Sequence, residues 1–119
     1  MDLQALDAIR AAVSQEQLLV SPVSGWEIGL ATTRRKVPLI LMPTPQRWLA
    51  DFLSLPGVRV MPLEPHVALD ASYLPGQLHR DPADRLLIAT ARQLGVPLVT
   101  RDQRILDYAA EGHLQAIAC

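Results

Sequence analysis

The chain has 119 residues, of which 50% are hydrophobic and 19% are charged, and its formal net charge is −1. This length and apolar content predict one globular domain, residues 1–119, with a sizeable core. The near-neutral charge excludes a general attraction of the protein to nucleic acid, so a nucleic acid could bind only through a local basic patch. Cys119 is the only cysteine, which excludes a disulfide framework and fits a reducing compartment.

The first residues carry acids at helical spacing instead of a basic start and an apolar run, so no signal peptide is predicted. No stretch approaches the ~20 consecutive apolar residues of a membrane span. We therefore expect a cytoplasmic protein with no membrane partner.

Helical and strand patterns alternate along the chain. Leu3, Leu6, Ile9 and Val13 recur at three- and four-residue steps, which predicts an amphipathic opening helix. Further helices are predicted at 24–34, 46–55, 64–74, 82–94 and 105–110. Strands are predicted at 17–21, 58–62, 97–100 and 114–118. This alternation predicts an α/β fold, in which three α/β/α layers surround a mostly parallel sheet of about four strands.

The clearest local signals lie between residues 79 and 102. Asp81 is a good N-cap for the helix that follows, and Asp84 falls in its first turn, directed along the apolar face. Asp102 lies just past a short buried strand. Helix N-termini and strand C-termini share one edge of such a sheet, where ligands bind. The sequence therefore predicts that Asp84 and Asp102 lie close together.

A third acid is predicted at the same edge. Ser24 and Glu27 match a capping box at the start of a helix that follows a strand. Clustered carboxylates repel one another unless a cation neutralises them, and hard oxygen ligands select Mg²⁺ or Mn²⁺. Such ions can generate hydroxide and stabilise a phosphodiester under in-line attack. Glu27, Asp84 and Asp102 are thus candidate catalytic residues of a hydrolytic nuclease.

Basic residues surround these acids. Four arginines can hold RNA phosphates, although solvated helix and loop ends are an equal alternative. They are Arg80, Arg85, Arg101 and Arg104. None of the three histidines has a metal-ligand spacing, so a structural role is predicted for them. They are His66, His79 and His113.

Three segments resemble PIN-domain ribonucleases of the VapC type, the toxins of bacterial toxin–antitoxin pairs. They are Val-Ser-Gly-Trp-Glu-Ile-Gly at 23–29, His-Arg-Asp-Pro-Ala-Asp-Arg-Leu-Leu-Ile-Ala-Thr-Ala at 79–91 and Leu-Val-Thr-Arg-Asp at 98–102. They come in the order of the family, and the resemblance covers nearly the whole chain. It implies a Mg²⁺- or Mn²⁺-dependent endoribonuclease that acts on RNA.

The resemblance also implies site residues and partners. The metal-binding acids of the family correspond to Glu27, Asp84 and Asp102, with Asp81 as an accompanying acid. Homodimerisation and inhibition by a protein antitoxin encoded alongside are expected. Core packing is the predicted use of Trp26 and Trp48, with a groove for an antitoxin helix as the alternative.

One feature of the family has no counterpart here. Family members begin with a strand that ends in an Asp, whereas Asp2 and Asp7 of this chain lie in the predicted opening helix. We therefore expect a chain that is N-terminally truncated relative to the family, or a degenerate member. The alternative function is a catalytically silent PIN-like module that binds an antitoxin or RNA. A phosphoacceptor receiver domain would also gather acids at strand ends, but Lys36 is misplaced for its lysine.

Overall fold

The computed structural model describes residues 3–119, so the prediction for Asp2 lies outside the described residues. Helices and strands alternate along this range. The helices are α1 (Leu3–Ser14), α2 (Pro22–Thr32), α3 (Pro45–Leu53), α4 (Pro65–Asp70), α5 (Pro82–Leu94) and α6 (Gln103–Ala110). The strands are β1 (Leu18–Val20), β2 (Val58–Val60), β3 (Leu98–Thr100) and β4 (Ala116–Ala118). The predicted α/β class is confirmed, and each predicted element is present; the bounds differ most in α4, which ends at Asp70 rather than at Leu74.

The four strands form two parallel pairs. In the first pair, β1 lies beside β2 with Leu18 opposite Val58. In the second pair, β3 lies beside β4 with Leu98 opposite Ala116. The predicted parallel orientation is confirmed within each pair. Within residues 3–119, the backbone hydrogen bonds between strands join two strands at a time.

Residues 10–62 form one compact unit, which contains β1, α2, α3 and β2. The start of α2 corrects the predicted capping box. Ser21 is the N-cap, because its side chain accepts a hydrogen bond from the Val23 amide at 3.1 Å, and Pro22 follows at the first helical position. Ser24 therefore lies inside the helix, and Glu27 lies in its second turn rather than its first.

The two tryptophans of this unit differ in exposure. Trp26 on α2 is 54% exposed, so the prediction that it packs in the core is wrong. Trp48 on α3 is half-buried and stacks on Phe52, with the ring centroids 5.4 Å apart. The segment between α2 and α3 contains no helix or strand, in agreement with its prolines, and it exposes Val37 and Ile40.

Residues 63–119 and the beginning of α1 form the second compact unit. Its main core joins α5 to α6 through Ile88, Ile105 and Tyr108, which are at most 2% exposed. Leu98 of β3 packs against this cluster. The core thus ties the helix that carries Asp84 to the strand and helix that flank Asp102. The organisation of the chain as a single domain stays a prediction.

The helices of residues 3–119 are short. The longest of them, α5, has 13 residues. None of the described helices has the length and apolar character needed to cross a membrane.

Candidate metal centre

Asp84 is placed by the first turn of α5. Asp81 is the N-cap of this helix, as predicted, and its Oδ1 accepts a hydrogen bond from the Asp84 amide at 3.1 Å. Pro82 follows the cap, where a missing N–H costs nothing. Asp84 is only 9% exposed, so it faces inward along the apolar side of the helix, also as predicted. A buried carboxylate is costly unless it is paired or bound to a cation, so Asp84 needs partners.

Asp102 is placed by the junction of β3 and α6. It follows the strand by two residues and is the N-cap of α6, where its Oδ1 accepts a hydrogen bond from the Arg104 amide at 2.8 Å. The Asp102 amide in turn donates to Thr100 Oγ1 at 3.1 Å. Two hydrogen bonds therefore hold the backbone and the carboxylate of Asp102 at the end of the strand.

Asp84 and Asp102 meet in one cluster with His79. Each residue offers a ligand atom, and these three atoms lie within 4.8 Å of one another. The predicted proximity of the two aspartates is confirmed. It arises because α5 and β3 pack on the same core and bring a helix start and a strand end together.

His79 is the member of the cluster that the sequence did not reveal. Its Nε2 lies 2.7 Å from Asp84 Oδ2, and the imidazole N–H donates because a carboxylate only accepts. Its side chain is 15% exposed, and Nδ1 is buried with no hydrogen-bond partner within residues 3–119. The sequence could have revealed His79 through its position, because it lies shortly before the helix whose first turn carries Asp84. It could not have done so through a metal-ligand spacing.

Arg104 closes the cluster from the side of α6. Its Nε lies 3.3 Å from Asp102 Oδ1, and its Nη2 lies 3.1 Å from Asp102 Oδ2. Nη2 also lies 3.8 Å from Asp84 Oδ2. The hydrogen bonds from Arg104 hold the pKa of Asp102 below its ordinary value. Asp102 therefore stays ionised at neutral pH, with a guanidinium as its counter-ion.

Arg85 points to backbone rather than to the acids. Its Nε donates to the carbonyl oxygen of Ala71 at 2.8 Å, and its Nη1 donates to the carbonyl oxygens of Leu78 and His79 at 3.4 and 3.3 Å. These contacts fasten the segment before α5 to the helix. Its predicted contact with RNA stays a prediction.

The other predicted site residues are placed as follows. Arg80 and Arg101 have exposed side chains, beside His79 and at the end of β3 respectively. Asp81 has a carboxylate oxygen within 4.8 Å of one of Asp84. Glu27 belongs to the unit formed by residues 10–62, and its role in metal binding stays a prediction.

A cleft of about 200 Å³ lies beside the cluster. It is lined by residues 77–79 and by Arg104, Asp107, Tyr108 and Glu111 of α6. His79 of the cluster and Arg104, which contacts both aspartates, line this cleft, so the cleft adjoins the cluster.

The donor set of the cluster fits a divalent cation. Two carboxylates supply hard oxygen ligands of the kind that Mg²⁺ and Mn²⁺ prefer. An imidazole nitrogen suits Mn²⁺ as a direct ligand, and it also serves as a partner that orients a ligating carboxylate. His79 already makes the contact with Asp84 that the second role requires.

Comparison with known proteins agrees with this geometry. The family model described as PIN domain matches residues 2–111. Ribonuclease VapC22 of Mycobacterium tuberculosis (strain H37Rv) is 32% identical over 101 residues, which is 85% of this chain and 75% of that protein. No solved structure matches the chain significantly. The chain therefore belongs to the PIN-domain family, which confirms the resemblance to VapC-type PIN ribonucleases and supports a nuclease.

Proposed function

We propose that this chain is a metal-dependent endoribonuclease, the toxin of a toxin–antitoxin pair, that hydrolyses RNA phosphodiesters. The observation that carries the proposal is the convergence of Asp84 and Asp102 from separate elements of a PIN-family chain. RNA is proposed as the substrate because the relative from M. tuberculosis is named a ribonuclease.

Each residue of the cluster has a proposed role. Asp84 and Asp102 hold Mg²⁺ or Mn²⁺ through their carboxylates, and His79 orients Asp84 through its hydrogen bond to Oδ2. By the family resemblance, Glu27 and Asp81 are proposed as further metal-binding acids. When bound, the cation supplies a Lewis acid and lowers the pKa of a bound water, so that hydroxide is available at neutral pH.

The substrate and the protein partners follow from the same reasoning. Arg80, Arg101 and Arg104 have exposed side chains close to the acids in sequence, and we propose that they contact RNA phosphates. A net charge of −1 makes such local contacts necessary. A protein antitoxin, a homodimer and a cytoplasmic location are proposed from the resemblance to VapC-type toxins.

The test is cleavage of a mixed single-stranded RNA by the purified chain, with Mg²⁺, Mn²⁺ or chelator. We expect metal-dependent cleavage that Asp84→Asn lowers more than about a hundredfold, because loss of a ligand exceeds the 10- to 100-fold cost of losing a residue that supports one. The matched control is Asp70→Asn, which makes the same change at an exposed acid at the end of α4. The control should cleave as the unmodified chain does.

This proposal is contradicted if the chain is folded and does not cleave RNA in the presence of either Mg²⁺ or Mn²⁺. If that chain still binds RNA, the result favours the alternative, a catalytically silent PIN-like module. Circular dichroism of each variant shows whether the protein in the assay is folded.

A further inference from the structure

The oxygens proposed to hold the metal are already in contact with a cationic side chain of the same protein. Arg104 makes a two-pronged contact with Asp102, through Nε to Oδ1 at 3.3 Å and through Nη2 to Oδ2 at 3.1 Å. The same Nη2 lies 3.8 Å from Asp84 Oδ2. The guanidinium therefore engages both aspartates of the cluster.

A divalent cation held between the two aspartates would lie close to this guanidinium. Both oxygens of Asp102 accept hydrogen bonds from Arg104, and like charges that close repel strongly. We therefore expect a cation that binds Asp102 from the side of Asp84 to displace the Arg104 side chain.

The local structure allows Arg104 to leave without disturbing the ligand. Its side chain is 60% exposed and lines the cleft beside the cluster, so it has room to move. The Arg104 main-chain amide also donates to Asp102 Oδ1 at 2.8 Å, as part of the cap of α6. This bond remains when the guanidinium moves away, so Asp102 keeps its orientation.

We propose that Arg104 is a resident counter-ion of the metal site, which competes with the divalent cation and is released to contact an RNA phosphate once the cation binds. The inference rests on the proposed function, because it requires the cluster to hold a metal. Arg104 then contacts RNA only when the metal is bound, so metal binding and RNA binding strengthen each other.

The first test is the affinity for Mn²⁺, measured by calorimetry without RNA. We expect Arg104→Gln to bind Mn²⁺ about three- to fivefold more tightly than the unmodified chain, since the exposed ion pair no longer has to break. Arg59→Gln is the matched control, because it removes the same charge from an exposed arginine of β2 that is not part of the cluster. It should change the affinity less than about twofold, the residual effect of a screened charge.

The outcomes separate the inference from the proposed function. If the unmodified chain binds Mn²⁺ and Arg104→Gln binds it equally well, the competition is refuted while the metal site stands. The same holds if Arg59→Gln tightens binding as much as Arg104→Gln does, because the effect then comes from the net charge of the protein and not from the position of Arg104. If none of the three chains binds Mn²⁺, the metal site itself is refuted, and the counter-ion role with it.

The second test addresses the release of Arg104. Binding of a fluorescent RNA oligonucleotide is measured by anisotropy, before cleavage proceeds, with Mn²⁺ and with chelator. Arg104→Gln should weaken RNA binding about fivefold with Mn²⁺ and have little effect with chelator, where Asp102 retains the guanidinium. An equal loss in both conditions, or no loss in either, overturns the release.

Discussion

Arg85 makes the contacts that hold the segment before α5 against that helix, and its removal should be measurable as a loss of stability. Nε donates to the Ala71 carbonyl at 2.8 Å, while Nη1 reaches the carbonyls of Leu78 and His79 only at 3.4 and 3.3 Å. A hydrogen bond from a charged donor contributes about 1.5–3 kcal/mol, and the two long bonds contribute less. Arg85→Met keeps an apolar stem but no donor. We expect the free energy of unfolding to fall by about 2 kcal/mol.

Urea denaturation followed by circular dichroism measures this change. Arg80→Met is the control, since it makes the same replacement at an exposed arginine of the same segment and should alter stability by less than about 0.5 kcal/mol. Arg85→Lys keeps the charge but lacks the planar fork, so it should not restore the lost stability. A fall of less than about 0.5 kcal/mol in Arg85→Met would refute the reasoning.

Two further predictions concern the core and the ion pair. Ile88→Ala should lower the free energy of unfolding by about 2–5 kcal/mol, because Ile88 is fully buried. The control Leu69→Ala changes a residue that is 62% exposed and should alter this free energy little. Equal effects of the two substitutions in urea denaturation would contradict this assignment of the core. The pKa of Asp102 is lowered by Arg104, so the ion pair contributes stability above the ordinary Asp pKa, and this contribution is lost as pH falls through the lowered value. Arg104→Gln should raise the pKa of Asp102 in an NMR titration, and the variant should lose less stability in acid than the unmodified chain. An unchanged pKa of Asp102 would count against the ion pair.

Several local features were predictable because they depend on atoms a few residues apart. The cap at Asp81 and the helix stop at Gly95, whose φ is +66°, are both present. The inward direction of Asp84 followed from helical periodicity. The position of Asp102 was predictable because the strand before it is short and mostly apolar, although β3 is half-buried rather than fully buried as predicted.

Other local predictions failed where two signals competed. Ser24 and Glu27 match a capping box, but Ser21 and Pro22 begin α2 three residues earlier. Both signals are common in sequences, and the chain uses the one that satisfies the helix start together with a proline at the first position. Trp26 was expected in the core on the basis of residue type, but it lies on an exposed part of α2.

The amino-acid sequence was enough to predict the alternation of helices and strands, the α/β class and the positions of Asp84 and Asp102 at a helix start and a strand end. Those features depend on capping, periodicity and chain direction, which act over a few residues or within one strand–helix unit. The sequence did not reveal that His79 contacts Asp84, that Arg104 pairs with Asp102 or that Arg85 binds carbonyls. These contacts depend on side-chain directions that are set when α5, β3 and α6 pack on a shared core, and no local pattern specifies that packing.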